Sequence, residues 1–418
     1  MENEKSAKGK EKFFQETFFS WKRSLCTAMK ILFIASQDQQ IASIMCALDR
    51  MGHETGMYPI SMEMIGSIEE EEKRLKTFLM NNKVDFIISN LFSSVIAQLT
   101  WELEIKYAVY GMDSPMYETY LPVIPRYDNC YLFFFDKREY QMAKQKEYTN
   151  VYYLPLAADV AWTENLVITD EEIKKYGCDM SFVGSLYSNN IYDRYSERFS
   201  EEVCQLFSEM MERSAFQWDG QDRLGMFLTP ELAGHIKKVC PEVYTKPYEL
   251  SDEYFIKEYF LARKLTHIER TLLMELLAER YDIHLYTRSD EVVPEGIRRF
   301  PEVSQMTGGF KIFYSSKINL NITMRSIESG VPLRVFDIMS VGGFVLSNYQ
   351  EEIPELFEEG KEIVTFRTPE ELVDKADYYL KHEKERMRVG LNGYQKVKKC
   401  YTYEQQLNKI ISILFPAP

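Results

Sequence analysis

Histidine is scarce in this chain of 418 residues, with five in total, and its seven cysteines form no C-x-x-C pair. No H-E-x-x-H and no Cys/His spacing of a zinc site occurs, so zinc-finger and zincin chemistry is excluded. An odd cysteine count without a recognisable secretory signal points to a reduced, cytoplasmic compartment. No apolar run approaches the length that spans a bilayer. A P-loop, a G-x-S-x-G nucleophile elbow and a D-x-D metal motif are all missing, and no G-x-G-x-x-G follows the first strand. Walker-type NTPases, α/β-hydrolases and dinucleotide-fingerprint dehydrogenases are thereby set aside. Excess positive charge is lacking too: 50 Lys and Arg face 64 Asp and Glu, a net charge of −14. That balance excludes a broad nucleic-acid surface but allows a local basic pocket for phosphates.

What the chain does contain is core-forming material, 45% hydrophobic and 14% aromatic residues. Its length favours two or three domains. Residues 1–28 differ from the rest, mixing Lys and Glu with Phe13, Phe14, Phe18, Phe19 and Trp21. They read as a leader or loosely packed extension, or else as an interfacial amphipathic helix that touches a membrane. From Met29 the pattern is regular. KILFIAS, ETGMYPI, VDFIISN, KYAVYGM, CYLFFFD and VYYLPLA read as six strands alternating with helices, a doubly wound parallel domain over 29–160. Polar residues fall at strand ends: Asn90, Asp113 in GMDSP, and Asp136, which is placed to cap the next helix. A second domain, 177–400, opens with CDMSFVG and a turn at Gly184 and Ser185. A mostly helical insertion follows over about 189–280, and residues 401–418 form a last amphipathic helix. Arg194 and Arg270 lie in the insertion and read as ordinary surface arginines.

The organising stretch is KINLNITMRSIESGVPLRVFDIMSVGGFVLSN, residues 317–348. Two strands flank a Gly-Pro turn and a short helix from about Arg334, the pattern of a parallel βαβ unit whose loop meets the ligand edge. Arg325, Glu328 and Arg334 lie on or beside that loop, and Asp337 is one turn into the helix, on the side of Arg334. Two guanidiniums at a helix N-terminus suit a pyrophosphate, and a carboxylate one turn on suits ribose hydroxyls. Glu351 and Glu352 follow the second strand and read as a solvated charge run facing the cleft.

The segment R-x-F-D-I-M-S-x-G-G-F-V-L-S, followed by P-E-L-F and E-E-L, resembles the donor-sugar half of GT-B glycosyltransferases. With F-V-G-S-x-Y at 182–187, D-S-P at 113–115 and L-P-L-A-A-D at 154–159, it is most similar to the bacterial CgeB-like (spore-maturation) branch of the family-1 group. The resemblance covers most of the chain from Met29. It implies an α/β GT-B fold, with two Rossmann-like domains facing a cleft and the terminal helix crossing back to the first. By the same resemblance Gly184 and Ser185 approach the donor phosphates, Asp337 holds the ribose, and an acidic residue eight positions before Asp337 contacts the donor sugar. That position is Ser329 here, with Glu328 one place out of register.

The function implied is metal-independent transfer of a sugar from a nucleoside-diphosphate sugar, UDP-linked, to a carbohydrate, protein or other hydroxyl acceptor. No cofactor is required. Arg334 and Arg325 would stabilise the departing diphosphate, and Asp113 would polarise the acceptor hydroxyl if configuration inverts. Two alternatives stand beside it: a sugar-nucleotide epimerase, and a non-catalytic GT-B-like subunit that binds sugar or nucleotide.

Overall fold

The computed structural model describes residues 28–35, 39–59, 68–122, 127–146, 148–244 and 248–416. The leader read over 1–28 lies, but for its last residue, outside them. Six strands of the first domain form one parallel sheet: β1 (Lys30–Ala35), β2 (Glu54–Pro59), β3 (Phe86–Ser89), β4 (Lys106–Tyr110), β5 (Cys130–Phe134) and β6 (Val151–Tyr153), in the order β2-β1-β3-β4-β5-β6. Successive residues of β1 serve opposite faces. Ile31 and Phe33 join one apolar core and Leu32 and Ile34 another, which is why these strands read as unbroken apolar runs. Helices α1 (Gln39–Arg50), α2 (Ile68–Asn81), α3 (Ser94–Glu102) and α4 (Lys137–Gln145) connect them.

The second sheet is also parallel and six-stranded. It comprises β7 (Met180–Val183), β8 (Ile283–Thr287), β9 (Arg298–Pro301), β10 (Ile318–Asn321), β11 (Val345–Asn348) and β12 (Val364–Phe366), ordered β12-β11-β10-β7-β8-β9. Counted from β7 this is the 3-2-1-4-5-6 order of a dinucleotide-binding sheet, and its topological switch point lies between β7 and β10. Between β7 and β8 the chain builds α5 (Glu201–Ser214), α6 (Pro230–Val239) and, after a π-helical turn at Lys257–Leu261, α7 (Ala262–Ala278). Helix α7 packs on the sheet through Leu273, Met274 and Leu277, so it is the crossover helix; the helices before it share a separate apolar core.

Beyond β10 come α8 (Leu333–Ser340), α9 (Pro369–Lys381), α10 (Glu383–Cys400) and α11 (Tyr403–Leu414). Thr368 caps α9 by accepting the Glu371 N–H at 3.2 Å. The Glu371 carboxylate reaches back to the Arg367 N–H, not to Thr368, so the pair does not close a reciprocal capping box. Helix α11 lies on the first domain. The ring of Phe415, which follows it, meets Phe86 at 5.9 Å, and Lys106 donates to the Leu414 carbonyl. One apolar core accordingly runs from Ile31 and Phe133 through Val335 and Phe336 to Leu407. No helix among the described residues is long and apolar enough to cross a membrane.

Candidate active site

At the switch point the end of β7 turns sharply at Gly184, whose φ is +150°. A Cβ there would stand 2.6 Å from the Arg334 guanidinium, so glycine is what lets that side chain close on the strand end. Arg334, in the first turn of α8, donates to Asn321 Oδ1 at 3.2 Å and lies 5.0 Å from the Phe182 ring. Arg270 of α7 meets it from the other side. Its Nε donates to the Ile322 carbonyl at 3.0 Å and its Nη1 to the Ser185 carbonyl at 2.6 Å. Among the described residues neither guanidinium has a carboxylate within ion-pair distance. Burial, and then the charge of Arg270, lower the Arg334 pKa to about 10. Two adjacent cations without a counter-ion are a site that an anion completes.

Asp337 is 6% exposed, and its carboxylate receives no hydrogen bond within the described residues. Burial raises its pKa well above the ordinary carboxylate value, against the pull of Arg334. Ser185 is spoken for: its hydroxyl donates to Glu291, a buried carboxylate that also accepts the Ser188 N–H at 3.0 Å and the Ser188 hydroxyl at 2.6 Å. Burial alone would raise the pKa of Glu291, but these hydrogen bonds hold it below the usual range. Glu291 therefore shapes the loop after β7, and in that loop Tyr187 carries a left-handed φ of +55°.

Two residues read from the sequence as donor contacts stand elsewhere. Arg325 is not a free phosphate ligand: its Nε donates to Glu269 at 2.8 Å, and its Nη atoms reach the Gln217 and Ser214 carbonyls at 3.0 and 3.1 Å. It ties the insertion to the end of β10. Glu328 pairs with Lys257 at 2.5 Å. The cation that joins Arg334 is instead Arg270, which the sequence reading left on the surface and which is 3% exposed. Its signal was register: Arg270, Leu273 and Leu277 share one stripe of α7, so an arginine sits where that stripe calls for a core residue.

The seam between the domains is polar. Asp136 caps α4 through the Arg138 N–H at 2.9 Å, and its other oxygen accepts the N–H groups of Glu328, Ser329 and Gly330 at 2.7, 3.0 and 3.2 Å. Glu352, read as part of a solvated charge run, is 1% exposed. It accepts from Ser329 Oγ and the Lys137 N–H, both at 2.7 Å, and from the Tyr153 hydroxyl. Glu351 pairs with Arg138 at the rim of the seam. Asp113 is exposed, at the mouth of β4, and the neighbouring Ser114 carbonyl accepts the Ser326 hydroxyl at 2.9 Å. Among the described residues no group of three or more His, Cys, Asp or Glu is arranged to hold a metal ion.

Comparison with known proteins adds three findings. Residues 269–412 match the sequence model of a family described as glycosyl transferase-like. A glycosyltransferase from Rickettsia africae superposes with a TM-score of 0.50 at 10% identity, over 94% of this chain and 100% of that one. Sucrose-phosphate synthase from Thermosynechococcus elongatus does so at 0.51 and 9% identity, over 93% and 100%. No curated protein sequence matches the chain significantly. Identities this low speak to fold alone: the chain has the α/β GT-B fold, and its residues 269–412 carry the glycosyl transferase-like match.

Proposed function

We propose that the chain is a glycosyltransferase of the CgeB-like branch, moving a sugar from a nucleoside-diphosphate sugar, UDP-linked, to a hydroxyl acceptor on a carbohydrate or protein. The observation that carries this reading is the pair Arg270 and Arg334, two cations without carboxylate partners at the switch point of a dinucleotide-type sheet. The diphosphate would lie between them, over the Gly184 turn, with the ribose on Asp337. In the transfer an acceptor oxygen forms its bond to the anomeric carbon as the bond to the diphosphate breaks. The leaving diphosphate keeps the electron pair, and the guanidiniums stabilise the charge that develops there, the role a divalent ion fills in metal-dependent transferases. Asp113, which is exposed, would take the acceptor proton if configuration inverts.

The test is thermal stabilisation by UDP, GDP, ADP and CDP, on the wild type and on Arg334→Ala. A ligand that binds only the folded state raises the melting temperature. The expected result is a shift with one diphosphate in the wild type that disappears in Arg334→Ala. If none of the four shifts the wild type, the transferase reading fails.

A further inference from the structure

Arg270 and Asp337 are 3% and 6% exposed, so a nucleotide reaches them only after their cover has moved. The first domain is part of that cover, because Phe135 and Asp136 stand against Gly330 in the turn that leads into α8. The insertion makes a further contact between the domains. The ring of Tyr117, in a 3₁₀ turn (Tyr117–Tyr120) after β4, lies 6.0 Å from Tyr248, 5.8 Å from Phe255 and 6.0 Å from Tyr259. Beside the rings the Glu249 N–H donates to the Tyr120 carbonyl at 2.7 Å, and the Tyr248 hydroxyl donates to Glu118 at 3.2 Å.

Each half of this clasp is tied to its own domain. The Tyr117 turn is held on the first: Glu139 of α4 accepts the Met116 N–H at 2.6 Å, and the Tyr148 hydroxyl donates to the Thr119 carbonyl at 2.8 Å. Phe255 and Tyr259 stand on a helical run that continues without a break from Asp252 through the π-helical turn into α7. Leu273, Met274 and Leu277 fix that run to the second sheet, as do Arg270 on the Ile322 carbonyl and the buried Glu269 on Arg325. The halves meet through aromatic faces and the two hydrogen bonds just named, and Tyr117, Tyr248 and Tyr259 are half-buried. When the domains part, the insertion therefore stays with the second domain and the clasp gives way. Tyr259 precedes Arg270 by eleven residues, roughly 16 Å of helix, so the clasp is separate from the arginine pair.

We propose that this clasp is a gate on the cleft: Tyr117 must leave the three rings before the domains part and the site around Arg270, Arg334 and Asp337 opens. Parting hydrogen-bonded groups trades protein partners for water at small net cost, whereas parting the rings wets apolar surface. The clasp, and not the polar seam, accordingly sets the rate of opening. That the gate admits a nucleotide rests on the transferase reading above; the gate itself does not.

The test is hydrogen exchange by mass spectrometry on the full chain, as wild type, Tyr117→Ala and Tyr117→Phe. Each line of contact carries its own reporter. The Glu249 N–H reports on the clasp, and the N–H groups of Glu328, Ser329 and Gly330, bonded to Asp136, report on the seam. In the wild type both are expected to exchange at one common rate. Tyr117→Ala should raise both at least tenfold while β7 and β10 keep their protection, which verifies the fold. Tyr117→Phe, which keeps the ring, should match the wild type. Should Tyr117→Ala lose protection in β7 and β10 as well, Tyr259→Ala on the other half decides by the same criterion. If the seam exchanges at the wild-type rate in Tyr117→Ala, or if Ser329→Ala speeds both reporters and Tyr117→Ala neither, the proposal falls. The nucleoside diphosphate that the wild type takes should slow both reporters; one that binds and leaves both unchanged has its site outside the gate, and overturns it. Failure of UDP, GDP, ADP and CDP to bind would sink the transferase reading by itself, while exchange in the free chain still decides the gate.

Discussion

The hydroxyl of Ser329 lies 2.8 Å from Asp136 of the opposite domain, and its backbone N–H lies 3.0 Å from the other oxygen of the same carboxylate. The same hydroxyl is 2.7 Å from Glu352. This explains the serine at the position where the resemblance calls for an acid. An acidic side chain there would be a third carboxylate against Asp136 and Glu352, both of them buried.

Ser329→Glu should therefore split the seam. A buried unpaired charge costs several kcal/mol, on the order of 3–5. Calorimetry should show a lower first transition and two resolved unfolding steps, whereas Ser329→Ala should cost about 1–2 kcal/mol and keep one transition. A single unshifted transition in Ser329→Glu would contradict the seam described above.

Gly330 permits the same approach by having no side chain. A Cβ would stand 2.9 Å from the Phe135 ring and 3.1 Å from the Asp136 Cα, which is backbone and cannot swing aside. Gly330→Ala should open the domains without unfolding either. Small-angle scattering should report a larger radius of gyration with unchanged far-UV dichroism; an unchanged radius would count against it.

Gly184→Ala should reach the candidate donor site without altering any charge. The added methyl would displace the Arg334 guanidinium and adopt a φ of +150° that alanine resists. Affinity for the nucleoside diphosphate is expected to fall at least tenfold, about 1.4 kcal/mol. Equal affinity in wild type and variant, by calorimetric titration, would separate Arg334 from the ligand.

Glu139 gives a pH dependence of definite sign. It is 4% exposed and accepts from the Met116 N–H and the Ser114 hydroxyl at 2.6 and 2.8 Å, with Tyr120 at 3.4 Å and the charges of Asp136 and Glu328 facing it. Burial raises its pKa from 4.5 to about 8, more than those two hydrogen bonds lower it. Between these values the folded chain holds a proton that the unfolded chain has released. The contribution of Glu139 to stability is thus full below pH 4.5 and declines as pH rises to about 8, at up to about 1.4 kcal/mol per unit. Urea denaturation at pH 5.5 and 7.5 should show a smaller loss in Glu139→Gln than in the wild type. Equal losses would mean that Glu139 does not carry the slope.

Strand positions were legible because both faces of each sheet are covered, so that KILFIA, CYLFF and VLSN stand out as apolar runs between polar turns. β9 was not: RRFP is an exposed edge strand whose arginines and proline carry no such pattern. Sheet order depends on contacts between distant segments and left no local trace. That Arg334 and Asp337 stand together on α8 was legible because one short βαβ unit carries both. The partners of Arg270 and Arg325 were not legible, for a reason of distance in sequence. Arg325 meets Glu269, and Arg270 meets Ser185, only once the insertion has folded back over the sheet. Glu352 was misjudged likewise, since it is buried against the other domain, whereas Asp136 caps α4 as its place in the sequence implies.

The polypeptide passes between the two domains twice, near Ala158 and near Thr402, and the two passages are laced together. The Ala158 N–H donates to the Tyr401 carbonyl at 3.0 Å, and the Tyr403 N–H donates to the Ala158 carbonyl at 3.2 Å. Arg50 of α1 grips the carboxylates of both Asp159 and Glu404, one from each passage. Two parallel straps pinned side by side act as the leaf of a door: they permit swinging about their common line and resist sliding or twisting. An opening at Ser329 and Gly330 is accordingly expected to be a rotation about Ala158 and Thr402, and it would also part Arg138 from Gly220 across the seam.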